Sequence, residues 1–290
     1  MHTLPRKYAG HVLALLATVV LGGLLSATLV RLAPGFEVDE QELDPHLSAQ
    51  SVQALRDARH HNQNVVRFYL SYMNRLLHGD LGTSLALGQP VRTLLRDRAP
   101  LTLRLLTAGL ALAWTLALTF AVSAAWLRLS VYDTLTTVVS GTFLCIPAAV
   151  LALLSVLWNV PGSLAIALII FPHAFRYARN LLVKAYCRPH ILAARARGLG
   201  EVRILIWHVL PVTIPQLLAV AGVSVSMAVG AAIPVEALCG LPGVGQLAWQ
   251  AALARDLPLL VNITILVTLV TLLANAGADV IGNVFRRQEG

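Results

Sequence analysis

The sequence predicts an all-α integral membrane protein with six transmembrane helices and both termini in the cytosol. Three observations carry that expectation. Hydrophobic residues make up 57% of the chain and charged residues only 12%, with a mean hydropathy of +0.72; a soluble globule of this length needs more polar surface than that. The apolar residues fall in runs close to the roughly 20 residues that a helix needs to cross a bilayer. The basic residues behind the net charge of +8 cluster between those runs. They read as topology signals and not as a nucleic-acid footprint, which asks for a basic face on a folded polar surface.

The first span is expected at residues 10–30, after Arg6 and Lys7. A cleaved signal peptide shares the basic start and apolar run. Here, however, Ser26, Ala27 and Thr28 pass straight into Leu29, Val30 and Arg31, which favours an uncleaved helix. Residues 31–99 form the expected extracytoplasmic loop, with eight arginines against eight acids; a translocated loop of this length is little constrained by the positive-inside rule. Within it Val52, Leu55, Val66, Tyr69, Leu70 and Met73 recur at partly helical spacing, indicating short amphipathic helices. Gly79 to Ser84 reads as a turn.

A core at residues 100–285 supplies the other five spans. The second is expected at 101–127. The third, at 134–158, contains Pro147, which should kink the helix or mark its lining of a cavity. A tight turn at 160–163 leads to the fourth, at 164–183, whose inner half carries His173, Arg176 and Arg179 and so must face protein or emerge early. Lys184, Arg188, Arg195, Arg197 and Arg203 then stand against the single acid Glu201, placing the loop 184–212 in the cytosol. The fifth span is expected at 213–235 and the sixth at 259–284. Between them lies an outer loop, 236–258, rich in the turn formers Gly240, Pro242, Gly243 and Gly245. Arg286 and Arg287 open a cytosolic tail at 286–290.

No catalytic constellation is visible. The chain has no Gly-rich phosphate loop, no His-Glu-x-x-His and no Gly-x-Ser-x-Gly elbow. Cys145, Cys187 and Cys239 lack metal-ligand spacing and read as small apolar fillers. His60 and His61 read as part of a solvated loop and not as a metal site. Polar groups within the spans are Arg104 near the start of the second and Asn262, Asn275 and Asp279 on the sixth. The last three, with Pro147, are the candidates for lining a translocation pathway, although Asp279, close to the cytosolic end, suits structural pairing equally well.

The cytosolic loop is richer. Ala193 to Arg197 suit a short helix, Gly198, Leu199 and Gly200 interrupt it, and Glu201 can open a second helix at its dipole's positive end. There Val202, Leu205, Ile206 and Val209 recur at i, i+3, i+4 and i+7, forming one apolar face. Glu201 and His208 flank that face on one side and Arg203 and Trp207 lie toward the other, before Pro211 and Pro215 are expected to stop the helix. Two readings of this face stand on physics alone: an interfacial helix on the lipid headgroups, or a docking helix for a groove on a soluble partner.

The run Ala194-Arg195-Ala196-Arg197-Gly198-Leu199, followed by His208, Leu210 and Pro215, resembles the cytoplasmic coupling loop of permease subunits of dipeptide/oligopeptide-type ABC importers. The likeness continues in order along nearly the whole chain: Arg31 to Gly35, Gly79 to Ser84 with Pro90 and Val91, Pro100 to Leu103, Ile146 and Pro147, Glu236 with Leu241 to Gly245, Arg255 to Pro258, and Asn275 with Asp279. The resemblance implies a type I ABC importer permease in a bacterial-type inner membrane, without catalytic activity and with no cofactor bound by this subunit. ATP and Mg would sit on two cytosolic ATPases. The other implied partners are a second homologous permease subunit and an extracytoplasmic solute-binding protein. The cargo would be a di- or oligopeptide or a related small solute, such as a nickel chelate or glutathione. ATPase coupling would fall to the loop 190–211, through Ala194, Arg195, Ala196, Arg197, Gly198, Leu199, Glu201, Val202, Leu205, His208 and Pro215.

The chain departs from the family pattern where Phe36 stands in place of an Asp, where Pro211 and Val212 stand in place of Arg-Asn, and in the short 160–163 connector. An alternative from another class, a secondary transporter or channel without an ATPase, would want charged or broken-helix sites near the midplane.

Overall fold

The computed structural model describes residues 79–127 and 130–287. The expected first span, the amphipathic helices before Gly79, His60, His61 and the Arg31 to Gly35 motif lie outside the described residues. Those described form helices α1 (Val91–Leu127), α2 (Ser130–Cys145), α3 (Ala148–Leu157), α4 (Gly162–Tyr186), α5 (Pro189–Ala196) and α6 (Glu201–Ile204). A π-helical turn (Leu205–Val209) follows, then α7 (Leu210–Leu238), α8 (Val244–Leu253) and α9 (Leu257–Arg287). Among the described residues there is no strand, only an isolated bridge between Thr83 and Pro90, so the all-α expectation holds over this region. Among the described residues three helical stretches are long and apolar enough to cross a membrane: Val91–Leu127, Glu201–Leu238 and Leu257–Gly282. The bent pair Val131–Cys145 and Ala148–Leu157 makes a fourth if it counts as one span.

Several boundaries differ from the sequence expectation for identifiable reasons. The second span begins at Val91, well before residue 101, because its first turns carry Arg92, Arg96 and Arg98. Hydropathy marks where a helix turns apolar, and says nothing of where its hydrogen bonding starts. The third span is broken, not kinked. The chain turns by 95° between α2 and α3, where Pro147 has φ −58° and ψ 143° ahead of α3; proline lacks the donor that would continue α2 and steers Ile146 away from helical geometry. The fourth expected span is a 25-residue helix, α4, but with Arg176, Arg179 and Lys184 it is not among the stretches apolar enough to cross a membrane alone. The expected outer loop 236–258 is also largely helical: α7 runs on to Leu238, and α8 occupies half of the rest.

The described chain groups into two units, the larger comprising Arg98–Gln246 and the chain from Val270, the smaller comprising Leu247–Leu269 and the chain up to Asp97. In the larger unit, α1 lays a stripe of small residues, Ala113, Ala117, Ala121 and Ala125, into the two buried clusters that α4 also lines. Their spacing of four keeps them on one helix face, and small side chains let two backbones approach closely. Gly109 extends that stripe: a Cβ there would come 2.7 Å from Cγ2 of Ile166. Ala228 and Val235 of α7 and Ala152 of α3 join Leu105 and Ala113 of α1 in a second cluster around Ile166 and Ile170.

In the smaller unit, the turn expected at Gly79 to Ser84 is present. Gly79 and Gly82 take φ of +78° and +72°, and Asp80 Oδ1 accepts the Gly82 amide at 2.9 Å. Asp256, 1% exposed, fastens the next residues: its Oδ2 accepts the Ser84 hydroxyl at 2.5 Å and the Ala86 amide at 3.1 Å. Its Oδ1 accepts the Leu259 amide at 3.2 Å, capping α9.

Candidate functional site

The segment from Tyr186 to Pro215 is mounted on the larger unit by burial on one side and exposed on the other. Helix α5 starts with Pro189 at its first turn, where a missing amide is harmless. It ends in a left-handed glycine cap: Gly198 has φ +77°, its amide bonds the Arg195 carbonyl at 2.9 Å, and the Leu199 amide bonds the Ala194 carbonyl at 3.3 Å. This pairing is the Schellman closure that glycine makes at low steric cost, and it confirms the break expected at Gly198 to Gly200.

Glu201 then opens α6 and reaches back to Arg195, with Nε to Oε1 at 2.7 Å and Nη2 to Oε2 at 3.0 Å. The planar guanidinium suits such two-point recognition, and the Glu201 carboxylate holds the Arg195 pKa above its ordinary value. The same guanidinium lies 5.6 Å over the Tyr186 ring, within reach of a cation–π attraction. The Tyr186 hydroxyl accepts the Trp126 indole N–H at 2.6 Å. A relay Trp126, Tyr186, Arg195, Glu201 thus ties the ends of α1 and α4 to both short helices.

The apolar faces of the segment are not arranged as its periodicity predicts. Ile191, Ala194, Ile204 and Val209 are buried in the cluster around Leu182 and Tyr186, with Leu199 and Leu205 packed against it. Val202 and Ile206 are exposed at 57% and 50%, beside Trp207 and Leu192. The reason is the π turn. The Leu210 amide bonds the Leu205 carbonyl, one residue further back than in an α-helix, so Ile204 and Val209, five apart, point the same way. The same widening carries the helix past Pro211. The expectation that Pro211 and Pro215 stop the helix is therefore corrected: one helical stretch runs from Glu201 to Leu238. Thr213 Oγ donates to the Val209 carbonyl at 3.0 Å, supplying a bond where the ladder is disturbed.

Of the expected coupling residues, Ala194 is buried, Arg195, Leu199, Leu205 and His208 are partly buried, and Ala196, Arg197, Gly198, Glu201 and Val202 are exposed. Pro215 is buried, with its carbonyl oxygen 3.3 Å from the position a Cβ would take on Gly282 of α9. Leu199, Arg203, Trp207 and His208 line a shallow groove, in which Nδ1 of His208 is buried without a partner. The outward surface is apolar and aromatic, edged by the exposed Arg188, His190, Arg197 and Arg203.

Of the pathway candidates, Asn262 belongs to the smaller unit and Pro147, Asn275 and Asp279 to the larger. Asn262 is 3% exposed and donates its amide to the Leu81 carbonyl at 2.8 Å and the Pro258 carbonyl at 2.7 Å, anchoring the Gly79 turn. Asn275 donates to Ser226 Oγ at 3.2 Å, at a crossing where a Cβ on Gly222 would come 2.9 Å from its Oδ1. Pro147 and Asp279 are exposed, as is Arg104. Sequence reasoning named Glu236 with Leu241 to Gly245 and Arg255 to Pro258 among its family motifs, but did not pair Arg179 with Asp133, Ser84 with Asp256 or Glu236 with the first turn of α8. An arginine within an apolar run was the available signal for the first; for the others no spacing in the sequence points to the partner.

The profile of the family described as "Binding-protein-dependent transport system inner membrane component" matches residues 117–288, more than half of the chain. The oligopeptide transport system permease protein OppB of Escherichia coli is 30% identical over 267 residues, covering 84% of this chain and 85% of the relative. The nickel import system permease protein NikB of Staphylococcus aureus is 26% identical over 273 residues, covering 89% of this chain and 83% of the relative. Among solved structures, the MetNI methionine ABC transporter in inward-facing conformations matches with a TM-score of 0.60 at 18% identity, over 67% of this chain and 97% of that one. The fold is that of a type I ABC importer permease, and the chain belongs to the family of binding-protein-dependent transport system inner membrane components.

Proposed function

We propose that this multi-pass inner membrane protein is one of two permease subunits of an ATP-driven importer for di- or oligopeptides or a related small solute. In this reading the chain crosses the membrane six times, with both termini cytosolic. It pairs with a second homologous permease and receives cargo from an extracytoplasmic solute-binding protein. The loop 190–211 couples it to two cytosolic ATPases, which hold the ATP and Mg. The substrate class follows the oligopeptide and nickel permeases to which the chain is similar.

The observation that carries the coupling role is the mounting of α5 and α6. A lever must be stiff where it joins the body and open where it is pushed. Ile191, Ala194, Ile204 and Val209 are buried while Leu192, Val202, Ile206 and Trp207 stand in the open on the same two turns. An exposed apolar patch rimmed by basic residues suits a partner's groove, and continuity from Glu201 to Leu238 gives the push a rigid helix to act on. Alternating access would then be a rocking of packed helices around the cargo site.

Purification from membranes in mild detergent tests this reading. A tagged chain is expected to bring down cytosolic ATPase subunits, and uptake by cells is expected to stop when ATP is depleted. Recovery of no ATPase together with uptake that persists without ATP would refute it, and would favour a secondary transporter or channel. Partition of Trp207 into anionic vesicles, with no ATPase contact, would mark the patch as a lipid-facing surface.

A further inference from the structure

Glu236 is a charged residue type at 0% exposure, near the end of α7 opposite the coupling segment, and no described ion pair involves it. Its Oε2 accepts the amides of Gly245 and Gln246 at 2.6 and 3.2 Å, the first turn of α8. Beside them the Val244 amide donates to Thr102 Oγ1 at 2.8 Å. The N-terminus of α8 is therefore capped from other helices and not by a residue of its own. Two glycines make room for the carboxylate. A Cβ on Gly243 would fall on the Glu236 carboxyl, and one on Gly245 would lie 2.7 Å from the Ala232 carbonyl oxygen and 2.9 Å from Glu236 Oε2.

A local Ser, Thr or Asp cap would satisfy the same amides and leave α8 independent of α7. A buried carboxylate without a cation is a costly substitute, stabilised only while the amides and the positive end of the α8 dipole point at it. Its geometric consequence is a joint between the last turns of one helix and the first turn of the next. The helical stretch that bears it starts at Glu201 and ends at Leu238, about 57 Å at 1.5 Å per residue.

We propose that Glu236 is a positioning residue of the transport cycle: it fastens the first turn of α8 to α7, so that displacement of the coupling segment at one end of α7 moves that turn at the other. This inference rests on the coupling reading above and adds a residue to it. The joint acts only while the carboxylate and the two glycines are matched, which makes Glu236 and Gly243 energetically coupled.

The test uses the full transporter reconstituted in vesicles with its ATPases and binding protein. Glu236→Ala is expected to keep the ATPases bound and leave the half-saturating concentration of loaded binding protein unchanged, while maximal uptake falls roughly tenfold, the equivalent of about 1.4 kcal/mol. Glu236→Gln, which keeps one acceptor oxygen, should recover part of that rate. Gly243→Ala alone should reduce uptake similarly, and added to Glu236→Ala it should cost nothing further. Should Glu236→Ala fail to accumulate, Glu236→Gln and Gly243→Ala still decide. Wild-type rates in either, or multiplicative losses in the Gln/Ala double variant, would overturn the joint while leaving the coupling reading intact. ATP-independent uptake by the unaltered protein would overturn both.

Discussion

Arg195 binds Glu201 through two nitrogens and lies over Tyr186, so one side chain spans the gap opened by Gly198. Because the pair is partly exposed to solvent, its stabilising contribution is small, about 0.2–1 kcal/mol; its value lies in fixing the angle between two short helices. Arg195→Ala is therefore expected to leave the melting temperature in detergent nearly unchanged while ATP-driven uptake falls severalfold. The charge-swapped double variant Arg195→Glu, Glu201→Arg should regain part of that uptake, and no recovery would argue against a geometric role. Asp256 is the opposite case. Buried and accepting three hydrogen bonds, it should cost about 1–3 kcal/mol when changed to Ala, because a hydroxyl and two amides lose their acceptor. A detergent melting curve reads that directly, and an unchanged midpoint would rule it out.

Element by element, the apolar runs of the sequence locate helices well because burial and bilayer insertion leave the same composition. What they cannot show is where hydrogen bonding starts or how a helix passes a proline. Val91 begins α1 through turns rich in arginine, and at Pro211 the π turn carries the chain on where a simple proline rule ends it. The expected face is also split there: Val209 is buried together with Ile204 while Val202 and Ile206 are exposed, since periodicity of 3.6 is assumed in any face drawn from sequence. Gly198 was legible because a left-handed cap has a residue signature. Glu236 was marked only by its family motif with Leu241 to Gly245; its burial was not foreseen, because its partners are backbone amides that no side-chain pattern announces. The close approach of α1 and α4 also yields a prediction. Gly109→Val inserts methyls where a Cβ already meets Ile166 and should destabilise the protein by roughly 1–3 kcal/mol. Thermal unfolding in detergent measures it; an unshifted curve would mean that the two helices are free to separate.

On the scale of the whole molecule, one helical stretch links an exposed, basic-edged surface at Glu201 with the buried carboxylate of Glu236. The absence of a catalytic constellation in the sequence accords with a subunit whose relatives are permeases. In the proposed cycle, work enters at α5 and α6 and drives the rocking of packed helices. The substrate is left to the binding protein and the pathway walls, and the polar candidates for those walls, Asn262, Asn275 and Asp279, all lie along α9.

Whether the surface around Gly198 is the input of the cycle is decided by measuring ATP hydrolysis and solute uptake side by side in reconstituted Gly198→Asp. The left-handed φ of +77° at this exposed glycine disfavours any other residue, so the substitution distorts the joint between α5 and α6 without disturbing the buried cluster. The expected outcome is a protein that inserts and accumulates normally, hydrolysis that continues, and uptake reduced roughly tenfold or more. Uptake at the wild-type rate, with its coupling to hydrolysis unchanged, would show that the cycle is driven from elsewhere.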